Sequence, residues 1–296
     1  MDERDLHAIE NGRKHAREVL EFRARVSKRA EVIGTAGILV AEGDSWFDYP
    51  RNDVLRLLED NHGYDVRSLA HRGDRIEEMA YSSGQLEELT RLLGKLHNKG
   101  ERPKAILFSG GGNDVAGKEF GVLLNHARSP EPGLNENILE GVIDHRARLA
   151  YVHMIGAVTE VCTSVTEAPV PIIVHGYDYP VPDGRGFAGG WWLLPGPWLD
   201  PGFREKCYNY EDMLYRIELA RQLIDRFNEM LRAVAELEAF PHVHYVNLRR
   251  TLSRQVDDPD WWTGELYKAM WENELHPTPE GFDLVAERFA AVLREL

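Results

Sequence analysis

Short strand-like segments, the clearest of them apolar runs, alternate with longer segments of helical periodicity, and this alternation constrains the fold more than any other feature of the sequence. A short apolar run between two helical segments is typical of a strand that is buried on both faces of a parallel sheet. The pattern therefore predicts an α/β fold, a three-layer α/β/α sandwich around a mainly parallel sheet of about five strands. The predicted strands cover residues 37–41, 64–69, 104–108, 171–175 and 243–248, and the predicted helices cover about 52–60, 74–97, 138–162, 211–238 and 279–296.

The composition limits which partners the protein is expected to bind and where in the cell it is expected to lie. The chain has 296 residues, with 35 Lys and Arg against 49 Asp and Glu, which gives a formal net charge of −14. We expect no nucleic-acid partner, because phosphate binding needs concentrated positive charge. The two cysteines, Cys162 and Cys207, are too few for a disulfide framework. The sequence has no secretory signal and no run of roughly 18 apolar residues, so we expect a cytoplasmic protein that does not insert into a membrane.

The chain is predicted to form one domain over residues 31–296, preceded by a charged, amphipathic helical extension over residues 1–30. One stretch is irregular, because residues 181–207 are rich in Trp, Gly and Pro and contain Trp191 and Trp192. A segment of this composition has little core of its own, so we interpret it as an insertion and a candidate lid. The N-terminal helix leaves a homo-oligomer open as an assembly state.

Chemistry is expected where the strands end, because parallel sheets bind their ligands beyond the carboxyl ends of the strands. The first strand is followed by Gly43-Asp44-Ser45, which places a serine hydroxyl on a strand-to-helix turn. The backbone N–H of this serine lies near a helix N-terminus, where developing negative charge is favoured. A helix cap is the alternative interpretation of the same residues. The G-x-S-x-G elbow of the α/β-hydrolases is absent from the sequence.

Two further polar turns follow along the chain. The third strand runs into Ser109-Gly110-Gly111-Gly112-Asn113-Asp114, where the glycines allow close backbone approach to a ligand and the Asn113 amide can donate an N–H. This segment matches a phosphate-binding loop only in part, since Glu119 stands where Ser or Thr is required. The third turn, Asn273 to Thr278, precedes the closing helix and carries His276. A serine turn early in the chain, an Asn turn in the middle and a His turn late together favour a catalytic site more strongly than any one of these turns does alone.

The sequence resembles the SGNH (GDSL-type) hydrolases over about residues 37–290, in blocks that follow the order of that family: Gly43-Asp44-Ser45, Gly73, Gly111-Gly112-Asn113-Asp114 and His276-Pro277-Thr278. The resemblance implies a flavodoxin-like sandwich and hydrolysis of a small-molecule ester or thioester through an acyl-enzyme, without a cofactor or metal. It implies Ser45 as the nucleophile and His276 as the base. It also implies an oxyanion hole made by the Ser45 N–H, the Gly73 N–H and the Asn113 side chain.

The sequence departs from the family pattern at one catalytic position. The family has Asp three residues before the histidine, whereas this chain has Asn273. A carboxylate there orients the imidazole and stabilises the imidazolium, while an amide keeps an acceptor oxygen for the Nδ1–H but supplies no charge. Asn273 is therefore the third catalytic candidate, and Glu272 or Glu274 is the alternative source of a carboxylate.

Other polar and aromatic side chains near the strand ends are candidates for substrate binding. Aromatic rings there supply an apolar wall for an acyl or aromatic group, although tryptophan more often belongs to the core. The candidates are Asp44, Trp46, Asp114, His175, Tyr177, Trp191 and Trp192.

Two other functions fit parts of the same pattern. A metallophosphoesterase needs oxygen and nitrogen ligands for two metal ions. The residues available for it are Asp44, Asp48, Asn113, Asp114, His175 and His276. A catalytically weak or inactive SGNH-like binding protein is the second alternative, and Asn273 is its main support.

Overall fold

The structure of the protein is a computed structural model that describes residues 35–50, 52–187, 195–254 and 257–296. The helical extension predicted over residues 1–30 lies outside the described residues. Trp191 and Trp192 also lie outside them, so the irregular stretch 181–207 is described only in part.

A parallel sheet of five strands forms the centre of the described chain. Seven strands are present in the described chain, five in this sheet and two in a separate pair. They are β1 (Ile38–Gly43), β2 (Asp65–Ser68), β3 (Pro103–Ser109), β4 (Leu124–Asn125), β5 (Gly133–Leu134), β6 (Ile172–His175) and β7 (Val243–Val246). The order in the main sheet is β2-β1-β3-β6-β7, all parallel, while β4 and β5 form a separate antiparallel pair. Without that pair the order is 2-1-3-4-5, which is the flavodoxin-like order. The predicted α/β sandwich around about five parallel strands is therefore confirmed.

Helices follow most of the strands and bring the chain back to begin the next one. They are α1 (Val54–His62), α2 (Ile76–Tyr81), α3 (Ser83–Asn98), α4 (Gly112–Val115), α5 (Glu136–Thr166), α6 (Asp200–Glu205), α7 (Met213–Ala235), α8 (Pro259–Thr263) and α9 (Pro279–Glu295). Short 3-10 turns lie at Phe120–Leu123, Tyr210–Asp212 and Leu266–Ala269. Helix α5 is π-helical over Glu140–Ala147.

Two groups of helices cover the sheet. Helices α1 and α9 pack against each other, whereas α2, α3, α5 and α7 form the second group. The three central strands, β1, β3 and β6, are buried on both faces, and Leu39, Leu107 and Ile173 are fully buried. This two-sided burial is why these three strands appear in the sequence as nearly uninterrupted apolar runs rather than as alternating ones. The edge strand β2 is not buried along its length and has a mixed sequence.

Helix α5 is long and apolar enough to cross a membrane, judged by length and composition alone. Its neighbours in this structure are α2, α3 and α7. Tyr151, Ile155 and Cys162 on the helix are fully buried. These contacts are those of a core helix in a layered fold.

The prediction of one helix over residues 74–97 was wrong. The segment forms α2 and α3, which are separated at Ser82, where the backbone is extended with φ −79° and ψ 122°. The run Ser82-Ser83-Gly84 lies at this break, but hydrophobic periodicity continues through it. Helix α2 directly follows the loop that carries Gly73, which belongs to the candidate site.

Candidate active site

The turn after β1 presents Ser45 at the carboxyl edge of the sheet, and Asp44 fixes the shape of this turn. One carboxylate oxygen of Asp44 accepts hydrogen bonds from the Trp46 N–H (3.0 Å) and from the Ser109 hydroxyl (2.6 Å), and the other accepts one from the Tyr177 hydroxyl (2.7 Å). The adjoining strands approach so closely that a Cβ on Gly43 would lie 2.7 Å from the Ser109 carbonyl oxygen. Glycine is therefore required before Asp44, and the serine is held on a rigid turn.

His276 reaches the serine from the turn before α9. The Ser45 Oγ and the His276 Nε2 are 2.8 Å apart, and the His276 Nδ1 is 3.0 Å from the Asn273 Oδ1. Burial lowers the pKa of His276 to about 3. The imidazole is therefore neutral at ordinary pH and free to accept a proton from the serine. The indole N–H of Trp46 donates to the Leu275 carbonyl (3.1 Å), which ties the histidine turn to the serine turn.

The amide of Asn273 has a defined orientation. Its Oδ1 accepts hydrogen bonds from the backbone N–H groups of Leu275 and His276, as well as from the His276 ring, each at 3.0 Å. Three donors converge on this atom, so only an acceptor oxygen fits there. The Nδ2 on the other side donates to the Tyr49 hydroxyl at 3.0 Å. Because Nδ1 faces an acceptor oxygen, the ring proton of His276 lies on Nδ1, and Nε2 is left as an acceptor that faces the serine.

Candidate oxyanion donors lie beside the serine. The Asn113 Nδ2 donates to the Asp74 carbonyl at 2.9 Å, which holds the side chain against the segment that contains Gly73. The Asp48 carboxylate accepts from the backbone N–H and the Nε of Arg72, which fastens the same segment to the serine turn. Within the described ranges, the backbone N–H groups of Ser45 and Gly73 have no hydrogen-bond acceptor. These N–H groups are available to a ligand.

Two cavities meet at the serine, of about 640 Å³ and about 860 Å³ including the space that is open to solvent. Both are lined by Ser45, Asn113, Leu275 and His276. The first, here called the inner cavity, extends toward α7 and is walled mainly by buried apolar side chains, among them Val115, Leu223, Ile224, Phe227 and Trp271. The second, here called the outer cavity, is bordered by Asp48, Tyr49, Arg72, Gly73, Phe187 and Trp198.

Comparison with protein families decides the classification. The model of the GDSL-like lipase/acylhydrolase family matches residues 34–284, which is most of the chain. This chain belongs to the GDSL-like lipase/acylhydrolase family. Membership supports a hydrolase that acts on ester bonds, and it confirms the resemblance indicated by the sequence blocks. A comparison with curated proteins finds no match.

Several solved structures are similar to this chain. A candidate SGNH hydrolase from Slackia heliotrinireducens is 12% identical, with 87% of this chain and 98% of that chain covered and a TM-score of 0.44. The psychrotrophic esterase EstA from Pseudoalteromonas sp. is 12% identical, with 88% and 97% covered and a TM-score of 0.45. Est24, a carbohydrate acetylesterase from Sinorhizobium meliloti, is 13% identical, with 86% and 99% covered and a TM-score of 0.43. Since these scores lie below 0.5, the classification rests on the family match.

The GDSL-like family pattern has a carboxylate where this chain has Asn273, and the neighbouring Glu274 does not replace it. The Glu274 carboxylate is fully buried and accepts hydrogen bonds from four backbone N–H groups at 2.5–3.0 Å, those of Gly184, Trp198, Leu199 and Asp200. Burial raises the pKa of Glu274 to about 7 against the effect of these bonds. Glu274 therefore anchors the described part of the irregular stretch. Among the described residues, Asn273 is the partner of the His276 Nδ1.

Two residues predicted to bind substrate lie elsewhere. His175 is fully buried in the core, with its ring 5.7 Å from Trp46 and 5.2 Å from Phe289, and it lines neither cavity. Asp114 also lines neither cavity, and its carboxylate accepts the Ile76 N–H at 2.9 Å. His175 is the last residue of β6 and Asp114 follows β3, but their side chains point into the fold rather than outward. We correct their assignment to structural roles.

Three other predicted binding residues line the inner cavity, namely Asp44, Trp46 and Tyr177. The hydrogen bonds of Asp44 to the serine turn and to Tyr177 leave these two side chains as walls of the cavity rather than as free polar contacts. Trp46 is likewise buried, with its indole N–H bonded to the Leu275 carbonyl.

The acidic side chains proposed as metal ligands instead accept hydrogen bonds from backbone N–H groups. Asp44 and Asp114 accept hydrogen bonds from the serine turn and from α2, as described above. In the described ranges of the chain, no three His, Cys, Asp or Glu side chains are grouped as metal ligands. The arrangement of these side chains gives no support to the metallophosphoesterase interpretation.

Proposed function

We propose that this protein is a serine hydrolase that cleaves a small or acylated ester, or the corresponding thioester, through an acyl-enzyme on Ser45. One observation carries the proposal. The Ser45 hydroxyl lies 2.8 Å from a neutral imidazole nitrogen of His276, at the point where the two cavities meet. A hydroxyl within hydrogen-bond reach of an oriented base is the arrangement that nucleophilic catalysis requires.

In the proposed first half-reaction, the Ser45 Oγ forms a bond to the carbonyl carbon while its proton passes to the His276 Nε2. The negative charge that develops on the carbonyl oxygen is stabilised by the N–H groups of Ser45 and Gly73 and by the Asn113 amide. Each such donor is typically worth about 3–4 kcal/mol in the transition state. The carbon–oxygen bond to the leaving alcohol then breaks, and His276 returns the proton to that oxygen. In the second half-reaction, His276 takes a proton from water while the water oxygen forms a bond to the acyl carbon. The bond from that carbon to the Ser45 Oγ then breaks, the Oγ takes the proton back from His276, and the acid is released.

The two cavities favour one placement of the substrate. The polar groups of the inner cavity at Asp44 and Tyr177 are already bonded to each other, so this cavity suits an apolar acyl chain rather than a hydroxylated alcohol. The outer cavity is bordered by the exposed residues Arg72 and Gly73, so it offers the route by which the alcohol leaves and water enters. We therefore place the acyl group toward α7 and the alcohol beside Arg72.

This function predicts that the purified protein hydrolyses p-nitrophenyl acetate and butyrate, and that EDTA leaves the rate unchanged, because the proposed steps use side chains and water alone. The measurement is the release of p-nitrophenol with and without chelator. Loss of activity in EDTA that zinc or manganese restores, together with cleavage of bis-p-nitrophenyl phosphate, would instead support the metal-dependent alternative.

A further inference from the structure

Tyr49 contacts both His276 and Asn273. Its ring is stacked on the His276 imidazole with the centroids 4.3 Å apart and an angle of 21° between the planes. Its hydroxyl lies 3.0 Å from the Asn273 Nδ2. Tyr49 is buried and stands only four residues after Ser45 on the same turn. The loop that carries the hydroxyl nucleophile therefore also carries a group that touches the base and the partner of the base.

An asparagine at this position has a problem that an aspartate does not have. An amide on its own can present either an oxygen or an NH₂ group to the histidine ring, and the NH₂ group would force the ring proton onto Nε2, where it faces the serine. The backbone N–H groups of Leu275 and His276 favour the oxygen on that side of Asn273. The Asn273 side chain is fully buried, so its NH₂ group also needs an acceptor inside the protein. A carboxylate has two equivalent acceptor oxygens, so it needs neither a fixed orientation nor a second acceptor inside the protein.

We propose that Tyr49 is a positioning residue that lets Asn273 act in place of the aspartate. Its hydroxyl accepts the Nδ2–H and so, together with the backbone N–H groups of Leu275 and His276, holds the amide oxygen toward the Nδ1 of His276. Its ring keeps the imidazole plane aligned with Ser45. Tyr49 touches no reacting atom in this proposal and acts through the other two residues. The inference rests on the proposed function, since it concerns the base of that reaction.

A purely structural role for Tyr49 is the competing explanation. Its ring also lies 5.9 Å from the ring of Phe187 and 5.7 Å from that of Phe282, as a packing residue would. Substitution by phenylalanine keeps all these ring contacts and removes only the hydroxyl. The variant Tyr49→Phe therefore separates the two explanations.

For Tyr49→Phe, we expect kcat on p-nitrophenyl esters to fall roughly tenfold with KM changed less than about twofold, because the buried amide loses its acceptor. Nitrogen-15 NMR of the ring of His276, assigned with His276→Gln, is expected to show a fraction of the Nε2–H tautomer that wild type lacks. In the Asn273→Asp background the same substitution is expected to change kcat less than about twofold, because either carboxylate oxygen can accept the Nδ1–H.

Tyr245→Phe is the matched control, because the Tyr245 hydroxyl also bonds a buried asparagine, Asn228, at 2.5 Å. We expect the control to retain kcat and the wild-type tautomer. Equal losses of kcat for Tyr49→Phe in both backgrounds, or an unchanged tautomer, would overturn the role assigned to Tyr49. The tautomer readout needs no turnover, so it stays decisive even if wild type hydrolyses no ester and the proposed function fails.

Discussion

Replacement of Ser45 by alanine is expected to lower kcat/KM for p-nitrophenyl esters by about 10⁴-fold or more. Without the Oγ no acyl-enzyme forms, and the remaining oxyanion donors supply only the residual acceleration seen when a serine nucleophile is removed from other triads. The turn around Ser45 is held by the hydrogen bonds of Asp44, whereas the Oγ bonds His276. Loss of the Oγ therefore leaves the turn intact. Steady-state kinetics together with a thermal melt measure the effect on activity and on stability separately.

Ser68→Ala is the control for this substitution, because Ser68 ends the neighbouring strand β2 and its hydroxyl accepts the Ala70 N–H at 3.1 Å on the surface. We expect this control to keep the wild-type rate. A Ser45→Ala protein that retained more than about a tenth of the activity would remove Ser45 from the mechanism.

Asn273→Asp is expected to raise kcat at pH 8 by about 10- to 100-fold, because a carboxylate beside the Nδ1 stabilises the imidazolium that forms as Ser45 loses its proton. The pH profile is expected to change in a defined direction. Burial lowers the pKa of His276 to about 3 in the wild type. Activity needs the neutral imidazole, so it should persist as the pH falls to about 5. The new carboxylate raises the pKa of His276, so the variant should lose activity at a higher pH than the wild type does.

Asn273→Ala completes the series, since it removes both the orienting oxygen and the amide. The expected order of kcat at pH 8 is Asp above Asn above Ala, measured on one ester with the concentration of folded protein matched. If Asn273→Asp leaves both kcat and the acidic limb of the profile unchanged, residue 273 does not control the imidazole.

The layered fold could be predicted because it is encoded locally. The central strands β1, β3 and β6 are buried on both faces, so their apolar runs are visible in the sequence, and helical periodicity marks the layers around them. Ser45 and Asn113 both follow strands of the parallel sheet, and such strands end at one edge, so their proximity could also be inferred. The order of the strands depends on tertiary contacts that no residue type signals. The break at Ser82 is marked in the sequence only by the short run Ser82-Ser83-Gly84, which does not interrupt the hydrophobic periodicity.

The direction of individual side chains could not be predicted. His175 ends β6 and Asp114 follows β3 within the same polar turn as Asn113, yet one packs in the core and the other bonds the Ile76 N–H. Glu274 is adjacent to Asn273 but points toward the irregular stretch. Tyr49 gave no signal beyond being an aromatic residue near the serine turn, and only its contacts with His276 and Asn273 reveal a role.

The most direct test of the account is covalent labelling with a fluorophosphonate, followed by intact mass spectrometry and peptide mapping. A phosphonate reacts with a serine hydroxyl that a neighbouring base has activated, and an unactivated serine does not label. We predict one adduct per chain, located on Ser45 and abolished by Ser45→Ala or His276→Gln. Hydrolysis of esters by a protein that takes no label at Ser45, or that takes it at another residue, would contradict the account.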